Sequence, residues 1–349
     1  MRALALDAVG GIEHLAVRDL PEPALQRPDD VRVRVRAVAF NRLDLWVADG
    51  LPGLKLRMPH IVGSDAAGVV EAVGPAVRAF APGDRVMINP GLSCGVCEAC
   101  IGGDEPLCRN FRLLGEHTSG TAAEYVVVPE GNLARVPEGM PWDRAAAFSL
   151  ATLTAWRMLT TRAGVRPGES VLIWGIGGGV AQAALQIAKL LGAYAIVTSG
   201  TPGKLEAARG LGADATLDHS TADVVAAVRE LTAGRGGGGG ADVVVDSVGQ
   251  ATWDKSLRAL RRGGRLVTCG ATTGAAVSLD VRRLFWHQWS LLGSTMGSRR
   301  EYREIVRLAG LGRLWPVVDC SVPLASAVSA LRRLAAGEQF GKLVIEVAW

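Results

Sequence analysis

The chain has 349 residues, 49% hydrophobic and 21% charged, with a formal net charge of +4. That length exceeds one ordinary hydrophobic core, so two domains are expected, and nothing in the composition reads as an extended disordered tract. The small, scattered charge, without a basic run interleaved with aromatics, argues against a nucleic-acid partner, and no stretch approaches the ~20 uninterrupted apolar residues of a membrane span.

The N-terminus, MRALALDAVGG, lacks the basic start, apolar middle and small-residue cleavage site of a secretory signal, so a cytoplasmic protein is expected. The first 150 residues are strand- and turn-rich, as in VRVRVRAVAF (31–40) and AAGVVEAVG (66–74). PGDRV (82–86) and TAAEYVVVP (121–129) continue the pattern.

Between them Cys94, Cys97, Cys100 and Cys108 follow the spacing C-x2-C-x2-C-x7-C. In a reducing cytosol clustered cysteines are metal ligands rather than disulfides, and short CxxC steps bring thiolates to one tetrahedral centre. Gly95, Gly102, Gly103 and Pro106 suit a chain that wraps an ion. Independently buried thiols would not be spaced this way, and an iron–sulfur cluster is the other use of four thiolates. One zinc is expected, and four sulfurs would close its coordination sphere, which makes it structural. Cys269 and Cys320 stand apart and read as core residues.

From about residue 170, strand-like runs alternate with helical ones: VLIWG (171–175), AYAIVTSG (193–200), DATLDH (214–219), ADVVVDSVG (241–249), GRLVTCG (264–270) and WSLLGST (289–295). Gln182–Leu191 and Thr252–Arg261 carry helical periodicity. Apolar strands joined by helices imply a parallel sheet covered on both faces. The glycine run 234–240, broken only by Arg235, reads as a surface loop. At the first strand-to-helix turn stand Gly175, Gly177, Gly178, Gly179 and Val180, where backbone can approach a pyrophosphate seated on a helix N-terminus. The placement after VLIW and before AQAALQIAKLLGA distinguishes this from a merely tight turn. The second strand ends in Thr198, Ser199, Gly200 and Thr201, then Lys204, with no acid for a ribose 2′-hydroxyl. Hydroxyls and a lysine suit a 2′-phosphate, so NADPH is expected over NADH; the alternative is a lysine that only solvates a surface helix.

GSDAAGVVEAVG (63–74), PGDRV, the four cysteines, TAW (154–156), GGGVAQAALQIAK (177–189) and GKLVIEV (341–347) together cover nearly the whole chain. In this order they resemble the medium-chain dehydrogenase/reductase superfamily, which includes zinc alcohol dehydrogenases and quinone oxidoreductases. The resemblance implies an α/β protein with a GroES-like β domain, residues 1–151 and 297–349, carrying the cysteine lobe near 91–110. A Rossmann doubly wound parallel sheet, residues 152–296, is inserted between. It further implies nicotinamide-cofactor contacts at Thr154, Ser247, Gly249, Gly270 and Thr295, with Lys342 of the last motif, and a homodimer or homotetramer pairing through the last Rossmann strand near 289–295.

The departures from that family bear on chemistry. Zinc alcohol dehydrogenases hold a catalytic metal with a Cys₂His set. By resemblance the three ligand positions fall at Asn41, Ser64 and Leu150, and the hydroxyl that relays the alcohol proton falls at Leu43. None is a metal ligand or relay, leaving only a rearranged set of Asp44, Asp65 and His117. The Asn41–Asp44 pattern instead resembles the quinone oxidoreductase branch, which reduces electron-poor conjugated carbons without a catalytic metal. An enone or quinone delocalises the charge that hydride brings, so a few hydrogen bonds suffice to hold its oxygen.

Asn41 is expected either to donate its amide to that oxygen or to serve a turn. Asp44 is either a buried acid or a helix cap. Ser64 and Asp65 are expected on the pocket floor, and His117 is either a proton donor or a packing histidine. The expected protein is an NADPH-dependent, zinc-stabilised reductase of quinones or α,β-unsaturated carbonyls. Its rivals are a zinc-type alcohol dehydrogenase and a non-catalytic nucleotide-binding protein on the same fold.

Overall fold

The computed structural model describes residues 1–235 and 238–347, and the chain divides into two compact units, Met1–Leu153 with Met296–Trp349, and Thr154–Thr295. In the first unit the long strand Asp30–Ala39 organises a seven-stranded sheet. Its valines Val31, Val33 and Val35 are fully buried while Arg32, Arg34 and Arg36 alternate with them, the period-2 pattern of a strand with one face in a core. Asp65–Val73 runs antiparallel on one side, with Asp65 opposite Ala39, and the last strand, Lys342–Glu346, runs antiparallel on the other, with Val344 opposite Ala39. Three chain segments far apart in sequence therefore meet at one end of the sheet. Helix Arg42–Asp49 leaves from that end, starting at Asn41.

The second unit is a six-stranded sheet in which every pairing is parallel. The spatial order is Ala215–Asp218, Tyr194–Ser199, Ser170–Ile173, Ala241–Asp246, Leu260–Thr268 and Ser290–Gly293. This is the doubly wound order 3-2-1-4-5-6, whose strands all deliver their C-terminal ends to one edge. The central strands carry Leu172, Ile196, Val244 and Leu266 at full burial, as a sheet covered on both faces requires.

Two boundaries differ from the periodicity. The helix expected over Gln182–Leu191 starts earlier, at Gly179, because the glycine turn itself supplies its first turn. The helix expected over Thr252–Arg261 stops at Ala259, and Leu260 already pairs with Ala241 before a register shift. Buried Leu260 thus serves the sheet core, and tertiary packing overrides local helical pattern there. Of the glycine run 234–240, Gly234 and Arg235 close a short 3₁₀ turn, Gly240 donates its N–H to Thr232 Oγ1 at 2.7 Å, and residues 236–237 lie outside the described residues.

Candidate active site and metal centre

The cysteine lobe is held by the short antiparallel pair Gly91–Leu92 and Arg112–Leu113. Within it the Cys94–Cys108 and Cys97–Cys100 Sγ distances are 3.5 Å, Cys94–Cys100 is 3.9 Å, and all four sulfurs lie within 4.8 Å of one another. Tetrahedral zinc with Zn–S bonds of about 2.3 Å needs sulfurs roughly 3.8 Å apart, so the donor set fits. Backbone N–H groups of Cys94 and Asn110 donate to Cys108 Sγ at 3.5 and 3.4 Å. Among the described residues this is the one group of three or more His, Cys, Asp or Glu able to share an ion. Asp44, Asp65 and His117 do not form the alternative set.

In the second unit, Gly175 turns out of the first strand at φ +68°, the left-handed region that glycine tolerates. Its N–H donates to Thr198 Oγ1 at 3.2 Å, and Ile176 N–H donates to Thr198 O at 2.9 Å, which anchors the turn to the second strand. Gly178 caps helix Gly179–Leu190 without a side-chain partner, so the first N–H groups of that helix, from Gly179 and Val180 onward, are available to an anion. Trp174 Nε1 and both amide atoms of Gln182, in residues at most 3% exposed, have no partner among the described residues. The glycine turn and the open helix N-terminus fit the diphosphate of a dinucleotide.

Most of the other expected cofactor residues of this unit lie at or just beyond the C-terminal ends of parallel strands. Ser199 ends the second strand and its Oγ accepts from Thr201 N–H at 3.1 Å, while Lys204 lies in the first turn of helix Pro202–Gly210. Ser247 and Gly249 follow the fourth strand. Gly249, at φ +88°, approaches so closely that a Cβ would stand 2.7 Å from Gly274 O. Gly270 accepts from Thr268 Oγ1 at 3.2 Å, Thr154 is buried on helix Trp142–Trp156, and Thr295 is exposed beyond the last strand. His219, unremarkable in sequence, belongs here too. It follows the third strand, its Nδ1 is 3.3 Å from Thr198 Oγ1, and a Cβ on Gly200 would come within 3.2 Å of its Nε2. Burial holds its pKa below the ordinary imidazole value. The available signal was its place directly after a parallel strand.

The positions matched to metal ligands lie in the first unit, around a closed ionic cluster. Lys342 Nζ donates to Asn41 Oδ1 at 2.5 Å and to Asp65 Oδ2 at 3.0 Å, with Lys342 only 4% exposed and Asp65 fully buried. An ammonium can only donate, which fixes the Asn41 oxygen toward Lys342 and its nitrogen toward Asp65 Oδ2, at 3.0 Å. The amide's other hydrogen faces Ala39 O at 3.4 Å. Asp65 Oδ1 accepts from Leu150 N–H at 2.7 Å.

Two expectations change accordingly. Asn41 does not hold its amide open as a donor, because both of its polar atoms are spent inside the protein. Lys342, expected among the cofactor contacts, has its ammonium held by Asn41 and Asp65. Asp44 accepts from Asn41 N–H at 2.7 Å and from Gly63 N–H at 2.9 Å, combining a helix-capping contact with a tie to the next segment. Burial pushes its carboxyl up to about 6, against the pull of those amides and of Lys342. Ser64 is buried and donates to Leu114 O at 2.7 Å, so its hydroxyl is not presented on a pocket floor. His117 is exposed, and its Nδ1 accepts from Leu113 N–H at 3.3 Å, which leaves the hydrogen of the neutral ring on Nε2.

Comparison with known proteins agrees with this architecture. Residues 27–138 match the alcohol dehydrogenase GroES-like domain family and residues 179–310 the zinc-binding dehydrogenase family. A crystal structure described as an NAD-dependent alcohol dehydrogenase is 47% identical, covers all of both chains and superposes with a TM-score of 0.95. An alcohol dehydrogenase of Geobacillus stearothermophilus is 30% identical across 95% of this chain and 96% of its own. A crotonyl-CoA carboxylase/reductase of Cereibacter sphaeroides is also 30% identical, across 86% of this chain and 76% of its own. The chain is therefore a member of the zinc-type medium-chain dehydrogenase/reductase superfamily and an NAD(P)-dependent oxidoreductase.

Proposed function

We propose that this enzyme reduces a quinone or an α,β-unsaturated carbonyl with hydride from NADPH, without a metal at the reacting centre. The observation that carries the reading is the donor set at the three metal-ligand positions. Asn41, Ser64 and Leu150 offer an amide, a hydroxyl and a hydrocarbon, and the first two are hydrogen-bonded within the protein. A Lewis-acid zinc would find no thiolate or imidazole among them. Bound in the second unit, the reduced nicotinamide would supply the hydride. The residues of this chain hold the diphosphate at the helix N-terminus after Gly178, exclude water, and stabilise the oxygen that becomes negative as the β-carbon accepts hydride. The enolate is then protonated at carbon by water or by His117.

NADPH rests on the absence of an acid after the second strand and on Ser199, Thr201 and Lys204 in its place, with His219 beside Gly200. The structural zinc would be held by Cys94, Cys97, Cys100 and Cys108 and would not meet substrate. A second copy is proposed to pair along Ser290–Gly293, which is the edge of the parallel sheet.

One observation favours the alcohol dehydrogenase reading with NADH, namely the 47% identical structure described as NAD-dependent. The two readings part on turnover and metal content. Steady-state assays would set NADPH against NADH with an enone, a quinone and a primary alcohol, alongside zinc analysis. Enone or quinone reduction with one zinc per chain supports the proposal. Alcohol oxidation with two would overturn it.

A further inference from the structure

We infer that His219 reads the 2′ position of the cofactor's adenosine ribose, its imidazolium pairing with a 2′-phosphate so that the preference for NADPH is set by pH. The inference rests on the NADPH reading above and deepens it. His219 directly follows the third strand, whose last residue, Asp218, stands opposite Ser199 at the end of the second. A dinucleotide fold that prefers NAD carries an acid after the second strand, bonded to the ribose 2′-hydroxyl. Here that strand runs out into Gly200, and a Cβ at Gly200 would stand 3.2 Å from His219 Nε2. The imidazole therefore lies against the backbone where the stem of such an acid would begin.

The ring is both fixed and accessible. Its Nδ1 is 3.3 Å from Thr198 Oγ1, the same oxygen that accepts the N–H of Gly175 at 3.2 Å. One hydroxyl thus sets the imidazole relative to the turn that would hold the diphosphate. Trp174 stands on another side, with ring centroids 6.3 Å apart. The side chain is exposed, and Nε2 has no partner among the described residues. The charged groups that face it are Asp218, from the third strand, and Lys255, from helix Trp253–Ala259. Asp218 Oδ1 accepts from both the N–H and the hydroxyl of Ser220, so its charge favours a proton on the ring without occupying Nε2. Lys255 opposes that proton but attracts a phosphate. The covered side of the ring keeps the free imidazole below its ordinary pKa, and a bound phosphate dianion would draw a proton onto it. Both ring nitrogens then donate, Nδ1 to Thr198 and Nε2 to the phosphate.

The test is calorimetric titration of the full-length enzyme with NADP⁺ and with NAD⁺, at steps from about pH 8.5 to about pH 6. Wild type is compared with His219→Gln, which cannot ionise, and His219→Lys, which stays charged throughout. The quantity read is the ratio of the NAD⁺ to the NADP⁺ dissociation constant. The 2′-phosphate itself takes up a proton near pH 6, but this is common to all three proteins and cancels between them. At about pH 6 the wild-type ratio should exceed that of His219→Gln by about tenfold or more, the size of one charge-assisted hydrogen bond. At about pH 8.5 the two should agree within about threefold, because the imidazole is neutral there. His219→Lys should exceed His219→Gln by a similar factor at every pH. NAD⁺ affinity should stay within about twofold in both variants.

An equal loss of both nucleotides in His219→Gln would overturn the inference and assign the ring to the shared adenosine or to the fold. A ratio between wild type and His219→Gln that stays near one at every pH would also overturn it, leaving the 2′ position to Ser199, Thr201 and Lys204. Failure of the underlying reading shows separately, in the wild type alone, as tighter binding of NAD⁺ than of NADP⁺ throughout. Even then, a pH-dependent gap between wild type and His219→Gln in the weaker NADP⁺ binding would support the role of the ring, and its absence would overturn it.

Discussion

Asp65 Oδ1 accepts the backbone N–H of Leu150 at 2.7 Å across 85 residues of sequence, while its Oδ2 holds Lys342. One fully buried carboxylate therefore ties the start of a strand, the middle of helix Trp142–Trp156 and the first residue of the last strand.

Removing that carboxylate should be among the most damaging single changes in the first unit. Asp65→Ala strands a buried ammonium and leaves a gap at Leu150, and breaking a buried pair by taking one partner costs about 3–5 kcal/mol. Asp65→Asn keeps an acceptor and should cost less. Denaturant midpoints for the two variants check the order; equal and small losses would contradict the hub role.

Asp44 carries a pH signature. Its carboxyl is raised to about 6 in the folded chain by burial, from an ordinary value near 3.8. A raised acid contributes its stability fully at low pH, and that contribution is lost as pH rises through the folded value. The wild type should therefore lose stability from this group between about pH 4 and pH 6, by up to about 3 kcal/mol, and be level above. Asp44→Asn cannot ionise, but its amide can accept from only one of the Asn41 and Gly63 N–H groups, which costs about 1–3 kcal/mol. The deficit of the variant should shrink as pH is raised from 4 to 6.5 in urea melts. A pH-independent deficit would contradict the raised carboxyl.

Much of this fold was legible because its signals are local. Alternating Val and Arg marked the strand Asp30–Ala39, the glycines after VLIW marked the dinucleotide turn, and the CxxC steps marked the lobe. The cluster around Asp65 was not legible, since it joins residues 24 and 277 positions apart through the pairing of three strands. Asn41 looked like a donor and Lys342 like a cofactor ligand because each was weighed without the other. Their mutual contact is what the separate readings missed, and no periodicity reports it.

The cysteine lobe predicts a separation of stability from chemistry. Purified enzyme should contain one zinc per chain, and Cys108→Ser should lose it, lower the thermal midpoint by several degrees and open residues 91–113 to protease. Because four sulfurs leave no open coordination position, kcat of the folded fraction should change by less than about twofold. A proportional collapse of kcat in folded, zinc-free protein would argue for a direct role.

Cofactor choice is tested at Lys204, in the first turn of the helix after the second strand. A charge-assisted hydrogen bond to a 2′-phosphate is worth about 1.5–3 kcal/mol, so Lys204→Ala should weaken NADPH by about tenfold or more and leave NADH within twofold. Fluorescence titration of both nucleotides measures this. An equal loss for both would mean that the lysine acts on the shared diphosphate or on the fold.

The sheet edge at Ser290–Gly293 bears on assembly. The helix before it, Val281–His287, exposes Val281, Phe285 and Trp286 at 63–65% of their full area. An unpaired edge beside exposed aromatics is a template for uncontrolled pairing, and a second copy docked along the edge would cover it. Each copy would offer the same edge, so such a contact would close as a two-fold dimer rather than propagate. Sedimentation of the wild type should give twice the chain mass, and the pair Phe285→Asp and Trp286→Asp should shift the equilibrium toward monomer at micromolar concentration. The thermal midpoint should then become dependent on protein concentration, because dimerisation contributes to stability by mass action. A wild type that sediments as a monomer at all concentrations would remove the edge from the interface and leave the exposed aromatics to another partner.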